Sequence, residues 1–200
     1  MLSIINRNGA GGAWRQKIIN GIPRAKQLGP GWCGYATLSM VFGYWGYDID
    51  QTAIFTHLKG EVPEGKRFGK VAYVTMGELA LAAMRMTNLK VTLAKSEVYK
   101  KILERRPDFN PHHLLQDSLE KGYPCIVHHI DHFYIAFGFG DRKDRYYFID
   151  SRSGRRKFFS YTHFDFMWSR LYFDEEYTGI DPRYALLVVR PRKEQNKTAP

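Results

Sequence analysis

Cysteine is scarce in this chain, which has only Cys33 and Cys125 among its 200 residues. Two cysteines exclude the disulfide framework that stabilises many small secreted domains, although a single bridge between them stays open. The chain also lacks internal repeats and any apolar run of transmembrane length, and its N-terminal segment lacks the long apolar centre of a secretory signal. We therefore expect a soluble protein without a membrane span, either cytoplasmic or exported without a recognisable signal peptide.

Acidic residues are also few, since 20 of them stand against 30 basic residues and give a formal net charge of +10. This balance predicts long-range attraction to an acidic partner, which could be nucleic acid, an anionic membrane surface or an acidic peptide. The hydrophobic share of 44% is enough to build the core of one compact domain. We predict a single domain over residues 1–190, in which residues 1–22 form an N-terminal arm, followed by a disordered basic tail over residues 191–200.

Helix and strand patterns are mixed along the chain and predict an α+β domain. An apolar segment of about three turns predicts a buried helix that begins near Cys33. Thr75 and Glu78 have the spacing of a capping box and predict the start of a second helix. A third helix is predicted from Pro111 to Gly122, because proline favours the first helical position and glycine the C-terminal cap.

The segment YPCIVHHIDHFYIAFGFGDRKDRYYFID predicts a β-hairpin, with two β-rich arms around a polar turn at residues 140–144. The segments LKVTLAK and YALLVVR predict further strands, and SRSGRRKFFSYTHFDFMW predicts a turn, a short strand and a short helix capped near Thr162. The basic runs, such as RSGRRK, are interpreted as solvated turns.

Cys33 lies in the stretch QLGPGWCGYAT, where it follows a loop rich in glycine and proline. At the N-terminus of a helix, a cysteine thiolate is stabilised by unpaired N–H groups and by the positive end of the helix dipole. The alternative is a small buried apolar residue, because cysteine is among the most buried residue types. Cys125, on an apolar strand after Pro124, is interpreted as a core residue.

Three of the seven histidines fall in the run HHIDH. If this run is one continuous strand, alternation places His128 and His132 on one face of the sheet, and His129 and Asp131 on the other. No more than two of these histidines can then converge, and neither cysteine belongs to a C-x-x-C pair. The pattern therefore disfavours a metal site.

The hairpin singles out His132 as a candidate base. With a turn centred on Asp141, His132 lies directly opposite Asp150, at a distance that allows a hydrogen bond between imidazole and carboxylate. For a thiolate that attacks a carbonyl group, the Cys33 N–H and the side-chain amide of Gln27 are candidate donors to the oxyanion. Together these residues have the composition of a nucleophilic site.

The segments QLGPGWCGYATLSMV, EKGYPCIV, HFYIAFGFG, YYFIDSRSG and THFDFMW resemble, in this order, the papain-like cysteine peptidases of the bacteriocin-processing, double-glycine leader peptidase type. The resemblance runs from about Arg24 to Trp168. It implies a papain-like fold, in which a central nucleophile helix packs on an antiparallel β-sheet, and hydrolysis of a peptide or protein substrate without a cofactor or a metal.

In that family a glutamine six residues before the cysteine completes the oxyanion hole, and the cysteine begins the central helix. The histidine starts one strand and the aspartate ends the next. On this sequence the resemblance assigns these roles to Gln27, Cys33, His132 and Asp150. The residue before the cysteine is Trp32, whereas members that process bacteriocins commonly have an acidic residue there.

Two other functions use the same residue patterns. An acyltransferase, or an enzyme like a transglutaminase or deamidase, would have the same fold and triad but a different acceptor. A non-catalytic basic binding module would not need the thiol of Cys33. A nucleic-acid partner is not expected, because the aromatic residues alternate as core residues do and no RNA-binding signature is present.

Overall fold

The computed structural model describes residues 16–60, 73–94, 101, 104–105, 110–129, 132–140, 145–169 and 184–192. Within these ranges the chain forms one antiparallel sheet with helices packed against it. This arrangement confirms the α+β fold expected from the sequence. The division into a domain over residues 1–190, an arm over 1–22 and a tail over 191–200 stays a prediction.

Seven strands of the described chain build the sheet: β1 (Lys17–Ile18), β2 (Lys90–Ala94), β3 (Cys125–His129), β4 (His132–Phe139), β5 (Arg145–Asp150), β6 (Arg155–Ser160) and β7 (Leu186–Arg190). The order across the sheet is β2-β7-β3-β4-β5-β6, and β1 pairs with the far end of β4. Every neighbouring pair is antiparallel. The strands from β3 to β6 are therefore a meander, which holds residues of consecutive strands side by side.

Five helices of the described chain have defined ends: α1 (Cys33–Tyr44), α2 (Gln51–Lys59), α3 (Met76–Met86), α4 (Pro111–Glu120) and α5 (Tyr161–Trp168). The capping box predicted at Thr75 and Glu78 is present at the start of α3. Asn110 caps α4 as the sequence indicates. The cap of α5 is Ser160, two residues before the predicted position.

Helix α1 is the most buried helix of the described chain, since nine of its 12 residues are buried. Its sequence, CGYATLSMVFGY, is apolar on nearly every side, and helices with that composition are found inside the core. It packs against α2, α3 and β4. The predicted central helix on an antiparallel sheet is thus confirmed, and its first residue is Cys33.

The segment predicted as the first arm of the hairpin forms two strands instead of one. Strands β3 and β4 pair with each other, so that His129 lies directly opposite His132 and His128 lies opposite Phe133. His129 and His132 therefore share a face of the sheet, and the predicted placement of His128 beside His132 is wrong. A break within a strand pattern changes which residues share a face, because side chains alternate with a period of two. Asp131 lies outside the described residues.

Candidate active site

A tight turn leads the chain into α1. The Trp32 N–H donates to the Gly29 carbonyl across 3.2 Å, with Pro30 and Gly31 at the centre of the turn. Gly31 has a φ of +80°, which glycine adopts without steric cost, and Pro followed by Gly is typical of a type II turn. The turn sets the direction in which α1 begins.

Cys33 is the first residue of α1 and is 9% exposed. The residue before it, Trp32, provides no side-chain cap, whereas a side chain caps each of the other four helices of the described chain. The first turn of α1 contains no acidic residue. The positive end of the helix dipole therefore acts on the Cys33 sulfur without a neighbouring carboxylate in that turn, which favours the thiolate.

Gly34 packs tightly against the segment before α3 and lies in ordinary contact with the start of β4. A Cβ atom at Gly34 would lie 2.4 Å from Val74 Cγ1 and 3.4 Å from Phe133 Cδ2. Gly34 follows Cys33 in the chain, and Phe133 follows His132. The residues after the cysteine and after the histidine are thus close neighbours, so the first turn of α1 lies beside the first residues of β4.

His132 and Asp150 form a buried pair on the sheet. The distance from His132 Nε2 to Asp150 Oδ1 is 2.9 Å, and the two side chains are 6% and 5% exposed. The residue directly opposite Asp150 is Tyr134, so the predicted direct pairing of His132 with Asp150 is wrong. His132 is two residues from Tyr134 and on the same face, which makes it the diagonal neighbour of Asp150 and keeps the imidazole within reach.

An irregularity in β4 brings Asp150 onto this face. Next to the turn, Phe139 pairs with Tyr146, so the hairpin is centred between residues 142 and 143. The predicted centre at Asp141 is therefore wrong. With that offset alone, Asp150 would lie on the opposite face from His132. The register shifts by one residue within Ala136–Gly138, as in a β-bulge, and this shift restores the common face.

Four donors hold the Asp150 carboxylate. Oδ1 accepts hydrogen bonds from His132 Nε2 and from the Arg152 N–H, each at 2.9 Å. Oδ2 lies 2.7 Å from Lys157 Nζ and accepts from Ser153 Oγ at 3.1 Å. Burial alone raises the pKa of this carboxyl, but the donors Lys157, His132 and the Arg152 N–H outweigh burial and lower the pKa to about 2. The carboxylate is therefore ionised at neutral pH.

The hydrogen bonds of His132 identify its basic nitrogen. An ionised carboxylate can only accept, so the imidazole proton lies on Nε2. The buried Ser151 hydroxyl donates to the Phe133 carbonyl at 3.0 Å and lies 3.3 Å from the same Nε2, where its oxygen can only accept. In neutral His132 the basic nitrogen is therefore Nδ1. The sequence analysis missed Ser151, whose one signal is its position directly after Asp150.

Gln27 is connected to the turn that follows Asp150. Its backbone N–H donates to the Ser151 carbonyl at 2.8 Å. Its side-chain Nε2 donates to the Gly29 carbonyl at 2.7 Å, while Oε1 is buried and accepts no hydrogen bond from the described residues. A side-chain amide has two N–H donors, so one of them is left for a further acceptor.

Lys157 was also missed by the sequence analysis, because the basic run RSGRRK was interpreted as a solvated turn. Only the first part of that run is a turn, and Arg155 to Lys157 belong to β6. Lys157 lies opposite Phe148, two residues before Asp150, and is therefore on the face of that carboxylate. The sequence analysis predicted a turn and a short strand in this segment, but it assigned Lys157 to the turn and not to the strand.

Cys125 has the properties of a core residue, as expected. Both cysteines are free, which excludes the bridge between them that the sequence left open. Cys125 is fully buried and its Sγ donates to the Tyr123 carbonyl. Burial raises the pKa of its thiol and outweighs the interaction with the Ser118 side chain, which lowers the pKa. A thiol in that environment is a poor nucleophile at neutral pH.

The part of the chain that the structure describes offers neither a candidate metal cluster nor a helix that could span a membrane. It contains no group of three or more His, Cys, Asp or Glu side chains that could hold a metal ion. None of its helices is long and apolar enough to cross a membrane.

Comparison with known proteins identifies related structures. A double glycine motif protease from an AMS/PCAT transporter, solved in complex with the leader peptide, is similar with a TM-score of 0.53 and 18% identity. The match covers 88% of this chain and 99% of that one. The peptidase domain of Streptococcus ComA, a bifunctional ABC transporter of a quorum-sensing pathway, matches with a TM-score of 0.49 and 16% identity, over 86% of this chain and 100% of that one.

No curated protein is significantly similar in sequence to this chain. The match to the double glycine motif protease indicates that this chain and that protease share a fold. The model of the Peptidase_C39 like family matches residues 19–174, which include α1 and the strands from β3 to β6. The resemblance inferred from the sequence is therefore confirmed, and the chain belongs to the Peptidase_C39 like family of cysteine peptidases.

Proposed function

We propose that the chain hydrolyses peptide bonds with Cys33 as nucleophile, His132 as general base and acid, Asp150 as the group that orients the imidazole, and Gln27 as an oxyanion donor. The observation that carries this proposal is the buried hydrogen bond of 2.9 Å between His132 and Asp150. It lies at the start of β4, beside the helix that begins with Cys33.

In the proposed reaction, His132 Nδ1 takes the proton of the Cys33 thiol, and the thiolate attacks the peptide carbonyl carbon. The Cys33 N–H and Gln27 Nε2 donate hydrogen bonds to the oxyanion of the tetrahedral intermediate. The intermediate collapses to a thioester as the imidazolium protonates the leaving amine. Water, deprotonated by the same imidazole, then attacks the thioester and releases the acid and the thiol.

Asp150 supports this cycle in two ways. Its ionised carboxylate accepts the Nε2 proton and so leaves Nδ1 as the basic nitrogen. It also stabilises the imidazolium that exists while the thiolate attacks, as the acidic residue does in other nucleophile–histidine–acid triads.

The proposed substrate is a peptide or an unfolded protein segment. The similar double glycine motif protease was solved with a leader peptide, which supports a peptide substrate for this chain. The net charge of +10 favours acidic peptides at long range.

The proposal is tested by incubating the protein with a proteome-derived peptide library and identifying new peptide termini by mass spectrometry. We expect cleavage products with the wild-type protein and none with Cys33→Ala, while Cys125→Ala, which removes the other thiol, cleaves like the wild type. An added primary amine separates hydrolysis from acyl transfer, because a transferase would pass the acyl group to the amine and form a new amide as its main product, whereas a hydrolase would release the acid. Products that persist in Cys33→Ala would contradict the proposal.

A further inference from the structure

Gln51 is a buried polar residue that has no part in the proposed reaction. It is the first residue of α2 and is only 6% exposed. Glutamine is mostly found on protein surfaces, and a buried amide costs free energy unless it is hydrogen-bonded. We therefore expect the buried Gln51 amide to have hydrogen-bond partners.

Both ends of the Gln51 amide are bound to the backbone of one loop. Oε1 accepts a hydrogen bond from the Leu28 N–H at 3.2 Å, and Nε2 donates to the Lys26 carbonyl at 2.9 Å. Lys26 and Leu28 are the residues on either side of Gln27. A single side chain thus holds the peptide groups that flank the proposed oxyanion donor.

The other side of this loop rests on the turn after Asp150. The Gln27 N–H donates to the Ser151 carbonyl, and a Cβ atom at Gly154 would lie 3.6 Å from the Ala25 backbone. The loop is therefore fixed between α2 on one side and the turn of the sheet on the other. On the α2 side, both hydrogen bonds to the loop come from the Gln51 amide.

We propose that Gln51 is a positioning residue, which holds the backbone of Lys26 to Leu28 so that the Gln27 amide is directed at the oxyanion. This inference rests on the proposed function. Oxyanion donors act only when they are preorganised, and small displacements of a positioned group cost large factors in rate. Glutamine is suited to this position because it supplies one donor and one acceptor. Glutamate would place an acceptor against the Lys26 carbonyl, and leucine would leave both backbone groups without the amide.

Two reagents distinguish an effect on oxyanion stabilisation from an effect on the reactivity of the Cys33 thiol. In acylation by p-nitrophenyl acetate, the Cys33 sulfur bonds to the acetyl carbon and p-nitrophenolate leaves, through a tetrahedral oxyanion. In alkylation by iodoacetamide, the sulfur displaces iodide from carbon and no oxyanion forms. A change in the Gln27 loop should therefore slow the first reaction and spare the second.

The experiment measures both rates at Cys33 for the wild type, Gln27→Ala, Gln51→Leu, Gln51→Glu and the double variant Gln27→Ala/Gln51→Leu. We expect Gln27→Ala to lower the acylation rate about 100-fold, the effect of losing one oxyanion donor, and each Gln51 variant to lower it about 10-fold or more. Alkylation should stay within about twofold of the wild type. The double variant should acylate like Gln27→Ala, because Gln51 acts through Gln27.

Gln116→Leu is the matched control, since the Gln116 amide donates to the Tyr146 hydroxyl and belongs to another part of the fold. It should leave both rates unchanged. The inference is overturned if Gln51→Leu lowers the acylation rate by the same factor in the wild type and in Gln27→Ala. It is also overturned if Gln51→Leu lowers the acylation rate and the alkylation rate by the same factor. Failure of the proposed function gives a different result, in which Gln27→Ala itself acylates at the wild-type rate. If Gln51→Leu does not fold, as judged by thermal melting, the isosteric Gln51→Glu decides.

Discussion

Asp150 affects both the stability of the fold and the proposed chemistry. Its carboxylate is nearly fully buried, and it stays ionised because four donors surround it. Two of these donors come from the turn directly after it, so the local sequence DSRSG supplies both the carboxylate and half of its donors. Lys157 comes from the neighbouring strand and adds the one full positive charge that lies on Oδ2.

The depressed pKa of Asp150 predicts a loss of stability in acid. Its folded pKa of about 2 lies below the ordinary value of 3.8, so the carboxyl contributes stability above the ordinary value and loses it as the pH falls through about 2. We expect the free energy of unfolding to fall, from about pH 5 to pH 2, by about 2 kcal/mol more in the wild type than in Asp150→Asn. Denaturant titrations over this range measure the difference, and parallel curves would contradict the prediction.

The same variant should impair the chemistry. Asp150→Asn removes the negative charge that stabilises the imidazolium and replaces one acceptor oxygen with an NH2 donor, so the His132 tautomer is no longer fixed. We therefore expect acylation of Cys33 by p-nitrophenyl acetate to slow by about two orders of magnitude or more. Asp165→Asn is the matched control, because Asp165 Oδ1 pairs with His112 Nε2 at 2.8 Å in another His–Asp pair of the described chain. An equal loss in both variants would indicate a general effect on folding.

At the scale of the elements, the start of α1 packs tightly against the segment before α3 and contacts the first residues of β4. Gly34 is the contact point, because a side chain there would meet Val74, which is itself only 8% exposed. The glycine after the cysteine therefore has a packing role that is separate from any chemical one.

Gly34→Ala should destabilise the protein and displace the start of α1. The added methyl group would lie 2.4 Å from Val74 Cγ1, and overpacking of this kind typically costs about 1–3 kcal/mol. Gly77→Ala in α3 is the control, because its added Cβ meets only Thr75 Oγ1 at 3.8 Å and should be neutral or stabilising. Thermal melting measures both. A second change, Val74→Ala, should recover part of the loss, and its failure to do so would contradict the steric explanation.

Elements with local signals were predictable from the sequence. The capping box at Thr75, the cap at Asn110 and the apolar pattern of α1 each depend on neighbouring residues, and each is present in the structure. The division between β3 and β4 was missed because continuous β-rich sequence does not reveal where a chain reverses. The register of β4 on β5 was missed because a bulge within Ala136–Gly138 depends on contacts with other strands.

At the scale of the whole molecule, the proposed site joins two parts of the fold. The helical part supplies Cys33 and the sheet supplies His132 and Asp150, which are far from the cysteine in sequence. Residue types, spacing and the family resemblance led the sequence analysis to propose these three together with Gln27, and their roles stay predictions. The supporting side chains Gln51, Ser151 and Lys157 were not selected, because serine, lysine and glutamine have no distinctive pattern until the fold is known.

The net charge of +10 predicts a salt-dependent preference for acidic peptides. Long-range attraction is screened over about 8 Å at physiological ionic strength, and over longer distances at low salt. In the peptide-library experiment, acidic peptides should therefore be over-represented among the cleaved peptides at low salt, and less so as salt is added. A preference that does not change with salt would show that local contacts and not net charge select the substrate.

The pairing of Cys33 with His132 is the central claim, and the pH dependence of Cys33 alkylation by iodoacetamide tests it most directly. An imidazolium beside the sulfur keeps the thiolate populated below the ordinary cysteine pKa of about 8.5. In the wild type and in Cys125→Ala, we expect Cys33 to react at nearly full rate down to about pH 6, whereas in His132→Ala the rate should fall below about pH 8. Superimposed profiles for the wild type and His132→Ala, or modification of Cys125 in place of Cys33, would contradict the account.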